Sequence, residues 1–185
     1  MPHGVRNVES SVQTASAQIT PYPGKLRDIS IVSDGANAGV ARLLDGVPIV
    51  LAYDSGGNTT PTIGETITGA TSGRIGILAA YTTASGAWGS GTAAGNLYLI
   101  LMSGAATKFT NDEALNFSVS GNDNATANGT GTTGTGGTEI WRGASTATAG
   151  SMNSASFPDG RSFATALYAL ITNVTAVSVG FTDNT

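Results

Sequence analysis

The side chains with the clearest potential for chemistry are the carboxylates, of which the chain carries 12 against 8 lysines and arginines. Two carboxylates flanking a sugar can cleave a glycosidic bond. Glu65 and Glu113 stand out, because they occupy matching places in "IGETITGATSG" (63–73) and "FTNDEALNFSVSG" (109–121). Each follows a turn, where a glutamate more often blunts an edge strand or bonds turn amides than performs catalysis. No spacing singles out one acid pair, and we predict no catalytic residue.

Other common catalytic and metal-binding arrangements lack their central residues. The one histidine, His3, lies in a segment that we predict to be an N-terminal arm, and there is no cysteine, which argues against a Ser-His-Asp triad and against a zinc site built from these residues. The oxygen-rich "GNDNATANG" (121–129) lacks the closing glutamate of a calcium loop, and "GTGTTGTGG" (129–137) lacks the lysine of a phosphate loop. We therefore predict no metal, no cofactor and no enzymatic activity.

Composition narrows the class of protein and its partners. Charged residues make up 11 % of the chain, against about 25 % in a typical domain. The surface must therefore owe its polarity to Ser, Thr, Asn and Gly, which favours β-sheets. A net charge of −4 without a basic block argues against nucleic acid as a partner. The chain shows neither an apolar signal core near its start nor a membrane-length apolar run, so we expect a protein made in the cytoplasm that does not enter a membrane.

Short apolar runs separated by turn residues indicate strands along most of the chain. The stretch "LRDISIVSDGANAGVARLLDGVPIVLAYD" (26–54) predicts a meander of three strands. Ile75 and Ile77 alternate along one segment and Leu97, Leu99 and Leu101 along another, which places each set on one face of its strand and predicts two paired hairpins with one buried face. The two echoing stretches would form equivalent edges of a duplicated β-unit. Near the C-terminus, "LYALITNVTAVSVGF" (167–181) predicts two strands around a turn at Asn173.

Two segments look unlike the rest. Residues 1–24 carry few large apolar groups, and "TPYPG" places two prolines near their end, which predicts an extended arm that docks on a neighbouring subunit or is a disordered tail. Residues 121–138 are dominated by Gly, Thr and Asn and have almost nothing to bury, which predicts a loop or linker.

Several motifs, taken together, resemble structural proteins of tailed bacteriophages. "GKLRDISIVSDGANAGVARLLDG" and "FPDGRSFATALYALITNVTAVSVGF" resemble the two halves of a small β-sandwich module of phage virions. "IGETITGATSGRIGIL" with "FTNDEALNF" resembles a glycine-rich "GE-x-[IV]-x-G-x-x-S-G" module of the same class, although Arg74 stands where that module has a small residue. The resemblance spans roughly residues 24–183.

This resemblance implies an all-β fold in which one domain is inserted into another. Residues 25–56 and 139–185 would form a β-sandwich or jelly-roll-like domain, residues 57–138 an inserted β-lobe with a Gly/Thr-rich linker, and residues 1–24 the N-terminal arm. Loop tips tolerate such insertions.

The same resemblance implies a non-enzymatic virion protein, most simply a capsid decoration or cement subunit that stabilises the shell. Its partners would be further copies of itself, a trimer being a plausible form, and the major capsid protein or tail proteins. Leu26, Trp141 and Phe157 are the candidate apolar anchors of such contacts. One alternative is a tail fibre or tail adaptor that contacts host glycans through Trp88 or Tyr98. A different class would be a carbohydrate-binding module or a glycan-processing enzyme.

Overall fold

The computed structural model describes residues 9–36, 38–104, 106–132 and 136–183. These residues form an all-β protein, and the prediction of a sandwich-like all-β fold is confirmed. No helix long and apolar enough to cross a membrane occurs in the described part of the chain. The strands, in chain order, are β1 (Glu9–Gln13), β2 (Ala17–Thr20), β3 (Gly24–Ser33), β4 (Val40–Asp45), β5 (Ile49–Gly56), β6 (Thr66–Gly69), β7 (Arg74–Ser85), β8 (Ala93–Gly104), β9 (Ala114–Phe117), β10 (Gly121–Ala127), β11 (Thr138–Ala144), β12 (Met152–Phe163), β13 (Leu167–Thr172) and β14 (Val174–Asp183).

The chain forms two compact units, of which one combines residues 1–47 with 138–185 and the other contains residues 48–137. The first unit has two four-stranded antiparallel sheets, ordered β1-β14-β3-β12 and β11-β4-β13-β2. Their apolar faces share one core, made by Leu26, Ile29, Ile31, Ala41, Leu43, Phe163, Leu167, Ala169, Val177, Val179 and Phe181. Residues of both sheets enter this core, and the unit is therefore a β-sandwich.

The turn predicted at Asn173 is confirmed, since this residue has a φ of 55° between β13 and β14. Asparagine tolerates this left-handed conformation better than most residues. The strands on either side lie in different sheets of the sandwich, so the turn carries the chain across the core.

The three strands predicted for residues 26–54 exist, but they do not pair with one another, so the predicted meander is wrong. β3 and β4 lie in opposite sheets of the sandwich, and β5 pairs with β8 and β10 in the other unit. The domain boundary predicted after residue 56 therefore moves to residue 47. The physical reason is the alternation in β5, whose Ile49, Leu51 and Tyr53 are buried in the core of the second unit.

Residues 9–20 do not form a free arm. β1 pairs with β14 from Glu9 to Gln13, and β2 pairs with β13 from Ala17 to Thr20. Both strands are edges of the sandwich, and Ile19 packs against its core. The arm prediction is therefore wrong for these residues, while residues 1–8 lie outside the described part of the chain.

The second unit is a closed six-stranded barrel with the order β10-β5-β8-β7-β6-β9. Its core contains Ile49, Leu51, Tyr53, Ile67, Leu78, Ala93, Leu97, Leu99, Phe109, Leu115, Phe117, Ala125 and Ala127. β10 is built from the segment predicted as linker, so that prediction is wrong for residues 121–127; residues 133–135 lie outside the described part. The echoing stretches are not edges either, because β6 pairs with β9 and closes the barrel.

The barrel has an internal two-fold pattern. Ile49 pairs with Leu99 while Leu51 pairs with Leu97, and the symmetric pair between them is Val50 with Tyr98. Two backbone hydrogen bonds at the ends of β6 and β9 show the same two-fold symmetry. The Ala70 amide donates to the Ala114 carbonyl, and the Ser118 amide donates to the Thr66 carbonyl. β5, β6 and β7 thus correspond to β8, β9 and β10.

Candidate functional site

Glu65 lies just before β6 and is 4 % exposed. Its Oε1 accepts hydrogen bonds from the amide of Thr62 at 2.6 Å and the hydroxyl of Ser120 at 2.7 Å. Its Oε2 accepts from the amides of Val119 and Ser120 at 3.0 and 2.9 Å. The carboxylate therefore joins its own turn to the turn between β9 and β10.

Glu113 lies just before β9 and makes the equivalent set of bonds. Its Oε1 accepts from the amide of Thr110 at 2.6 Å and from the hydroxyl of Ser72 at 2.8 Å. Its Oε2 accepts from the amides of Thr71 and Ser72 at 2.9 and 2.8 Å. Its side chain is as deeply buried, since the residue is 3 % exposed. Each half of the barrel thus provides the acid that holds the serine turn of the other half.

The residue before each glutamate has a left-handed backbone. Gly64 has a φ of 98° and Asp112 a φ of 62°. In both turns the glutamate amide donates back to the threonine carbonyl three residues earlier, Thr62 or Thr110. Glycine adopts this conformation without strain and aspartate tolerates it, which explains why these two residue types precede the glutamates.

Both carboxylates are saturated with donors, which decides what they can do chemically. An ionised carboxylate offers about four lone-pair sites, and each of these two glutamates accepts four hydrogen bonds. Neither has an acceptor site left for a substrate proton or a metal ion. The prediction that these acids bond turn amides is therefore confirmed by their geometry. Within the described ranges, no cluster of three or more His, Asp or Glu side chains could hold a metal.

The hydrogen bonds to Glu113 also determine its titration. Burial acts to raise the pKa of this carboxyl group, but the amide and hydroxyl of Ser72 and the amides of Thr110 and Thr71 more than offset it. The pKa of Glu113 therefore lies below its ordinary value of 4.5. The charged form is the one that the fold stabilises.

We expect this lowered pKa to make the barrel less stable in acid. A carboxyl whose pKa is lower in the folded state contributes stability above its unfolded pKa, and that contribution is lost as the pH falls through the folded value. Denaturant unfolding between about pH 6 and about pH 3 should therefore show a steeper loss of stability for the native chain than for Glu113→Gln. Equal slopes for the two proteins would contradict this account.

Trp88, a candidate glycan contact, lies in the loop between β7 and β8 and packs onto the barrel core. Its ring stacks on Tyr53 with centroids 5.0 Å apart, and meets Tyr81 and Phe117 edge to face. Burial raises the pKa of Tyr53, whose hydroxyl bonds the Thr82 carbonyl. The indole therefore adds an aromatic cluster to the barrel core.

Tyr98, the other candidate glycan contact, does not join this aromatic cluster. Its neighbours Leu97 and Leu99 face the barrel core, so Tyr98 is on the outer side of β8, where it is half-buried. The structure therefore does not bring the two residues together on one stacking platform.

Replacing Trp88 by alanine should lower the free energy of unfolding of the barrel by about 2–3 kcal/mol, because the half-buried ring leaves its space against Tyr53 unfilled. Denaturant unfolding followed by circular dichroism would measure this. Tyr98→Ala is the matched control on the outer face, and it should cost clearly less. A Trp88→Ala barrel as stable as the native one would show that the aromatic cluster does not support the fold.

The three predicted interface anchors differ in accessibility. Leu26 is fully buried in the sandwich core, so the prediction that it contacts a partner is wrong: its side chain faces the opposite sheet. Trp141 and Phe157 are half-buried and pack against the outside of the same core, which leaves part of each ring accessible. Whether they bind a partner stays a prediction.

Phe157 begins an irregular segment of β12. Between Ser156 and Arg161 the pairing with β3 shifts register, and the intervening residues line a shallow depression of about 330 Å³. Lys25 and Arg27 of β3 donate to the carbonyl oxygens of Asp159 and Pro158 at 3.3 and 3.1 Å. These cations support the bulge of an edge strand.

Sequence reasoning missed the partners of the two acids, namely Ser72 and Ser120. A signal was present, because both serines precede a glycine, and these glycines, Gly73 and Gly121, have positive φ in the structure. The same offset separates Glu65 from Glu113 and Ser72 from Ser120. Only the fold shows that each glutamate bonds the serine of the other half of the barrel rather than the serine of its own half.

Comparisons with protein-family models, with curated proteins and with solved structures find no match to this chain.

Proposed function

We propose that the chain is a non-enzymatic structural protein of a bacteriophage virion, and that it acts as a capsid decoration or cement subunit. The observation that carries the proposal concerns the two buried acids. Glu65 and Glu113 each accept four hydrogen bonds, all of them from backbone amides and serine hydroxyls. This use of the most deeply buried carboxylates of the barrel supports an architectural role for them. The motif resemblance to phage virion modules supplies the biological setting.

The sandwich supports a role in adhesion. Each of its sheets ends in two edge strands, and an edge strand offers unpaired backbone groups to a neighbouring chain. The net charge of −4 is small, so apolar anchors such as the accessible parts of Trp141 and Phe157 would supply most of the contact energy. The partners of such a protein are the major capsid protein and further copies of itself.

Quantitative mass spectrometry of purified virions tests the proposal, together with electron microscopy of particles that carry an antibody label. Hundreds of copies spread over the shell support decoration. Copies in the tens, located at the tail, support instead a tail fibre or adaptor. Absence from purified virions overturns the structural assignment as a whole.

The enzymatic alternative has its own test. The isolated protein is incubated with polysaccharides of the host surface, and reducing ends are measured. Our proposal requires no hydrolysis above a buffer control. Hydrolysis that disappears when one exposed pair of carboxylates is mutated, in a chain that still folds, would replace the proposal by a glycan-processing function.

A further inference from the structure

The four edge strands of the sandwich are unequal. β12 has a register shift between Ser156 and Arg161 and contains Pro158. β11 has a shift between Glu139 and Trp141, and the pairing of β2 shifts at Leu167 and Tyr168 of β13. β1 pairs with β14 in unbroken register from Glu9 to Gln13, and no strand of the described residues pairs with its outer side.

A regular exposed edge is the feature that natural sheets usually suppress. They do so with prolines, lysines, bulges or coverage by another segment. β1 reads "ESSVQ" and has no proline, lysine or bulge, and Val12 is 64 % exposed. Its protective features are its length of five residues and the carboxylate of Glu9. An edge of this kind accepts a further strand through main-chain hydrogen bonds.

We propose that the occupant of this edge is β1 of a second copy of the chain, paired antiparallel about a two-fold axis at Ser11. In this register Glu9 faces Gln13 of the other copy on both sides of the axis, and Val12 faces Ser10. A carboxylate opposite an amide can be hydrogen-bonded, whereas like charges directly opposite destabilise a strand pair. The β1-β14-β3-β12 sheets of the two copies then form one continuous sheet.

The charge of Glu9 disfavours two competing arrangements, and an axis at Ser11 pairs all five residues of β1 with the second copy. A parallel, in-register pairing places Glu9 beside its own copy, as does an antiparallel pairing centred on Glu9. The side chain of Gln13 is already directed along this face, because its Nε2 donates to Ser11 Oγ at 2.6 Å. The same amide reaches Glu9 of the second copy once the strands meet.

The contact is small, so the isolated protein should associate weakly. Specific, stable interfaces bury roughly 1,200–2,000 Å², and a five-residue edge with its neighbours gives less. On a shell that presents many copies at fixed spacing, such a contact gains from the high local concentration. The pairing is measured on the purified chain and does not depend on the virion assignment, so either proposal can fail alone.

Charge variants of Gln13 test the register by sedimentation equilibrium at low salt and millimolar protein. Gln13→Lys places a cation opposite Glu9 twice per dimer and should tighten association on the order of tenfold, whereas Gln13→Glu should weaken it to a similar extent. Gln18→Lys, on the exposed edge strand β2, is the matched control and should behave as the native chain does. A native chain that stays monomeric throughout overturns the proposal.

The absence of native cysteines permits a direct geometric test. Ser11→Cys lies on the proposed axis and should form a disulfide-linked dimer under mild oxidation, because directly opposed residues of two strands lie close enough. Ser154→Cys, on the exposed edge β12 of the same sheet, should remain monomeric. Equal cross-linking of both variants overturns the proposal. Cross-linking of Ser11→Cys alone, with no response to charge at Gln13, overturns the register.

Discussion

Replacing Glu113 by alanine should lower the free energy of unfolding of the barrel by at least about 3 kcal/mol, because it removes the acceptor of four donors and a hydrogen bond to a charged group contributes about 1.5–3 kcal/mol. Three of these donors are the amides of Thr71, Ser72 and Thr110, and the fourth is the Ser72 hydroxyl. The total stability of a unit of this size is about 5–15 kcal/mol, so the barrel should be close to unfolding.

The chain provides its own reporters for this measurement. It contains two tryptophans, Trp88 in the barrel and Trp141 in the sandwich, so a Trp141→Phe background makes fluorescence report on the barrel alone. Denaturant unfolding in that background gives the change in stability.

Two control variants separate the lost acceptors from other effects. Asp112→Asn removes a neighbouring exposed carboxylate and keeps a residue that tolerates the left-handed backbone, so its effect should be small. Glu113→Gln keeps one carbonyl acceptor and should fall between the native chain and Glu113→Ala. If alanine costs no more than Asp112→Asn, the carboxylate does not hold the two halves together.

Removing residues 1–24 should abolish the cooperative unfolding of the sandwich and leave that of the barrel intact. The deletion takes away β1 and β2, and with them the ladders on β14 and β13 and the packing of Ile19 on the core. Cross-strand pairs contribute about 0.2–1 kcal/mol each, so the sandwich loses several kcal/mol of stability from these pairs alone. The newly exposed edges of β14 and β13 destabilise it further.

Fluorescence distinguishes the two units in this experiment as well. In a Trp88→Phe background the signal of Trp141 follows the sandwich, and in a Trp141→Phe background that of Trp88 follows the barrel. Val12→Ala is the control, since Val12 is largely exposed on β1 and its truncation leaves the ladder in place. An unchanged Trp141 transition after the deletion would restore the interpretation of residues 1–24 as an arm that the sandwich does not need in order to fold.

Local chemistry was enough to predict several parts of this fold. The alternation of Leu97, Leu99 and Leu101 predicted one buried face of β8: Leu97 and Leu99 lie in the barrel core, but Leu101 is 54 % exposed where the backbone turns to a φ of 51°. On β7 the prediction is wrong, because Leu78 is fully buried whereas Ile75 and Ile77 are half-buried. Asn173 predicted a turn because few other residues accept its backbone. The echo around Glu65 and Glu113 predicted a duplication, and the structure shows the corresponding bonds at both glutamates.

Partners distant in the sequence were not predictable in the same way. Nothing in the residues of β5 states that it pairs with β8 rather than β4, because register between distant strands depends on the whole core. β10 was missed for another reason. Its inward residues Ala125 and Ala127 are small, and its buried Asn124 bonds the Thr59 carbonyl at 2.8 Å, so a segment of low hydrophobicity fills a narrow barrel interior.

The exchange of acids between the halves of the barrel bears on how such a molecule can arise. A peptide carrying one half alone has a carboxylate without its distant serine turn, and a serine turn without its acid. Two identical peptides of this kind meet both needs at once by association. The barrel therefore holds in one chain two halves that satisfy each other's needs in the way that two associating copies of such a peptide would.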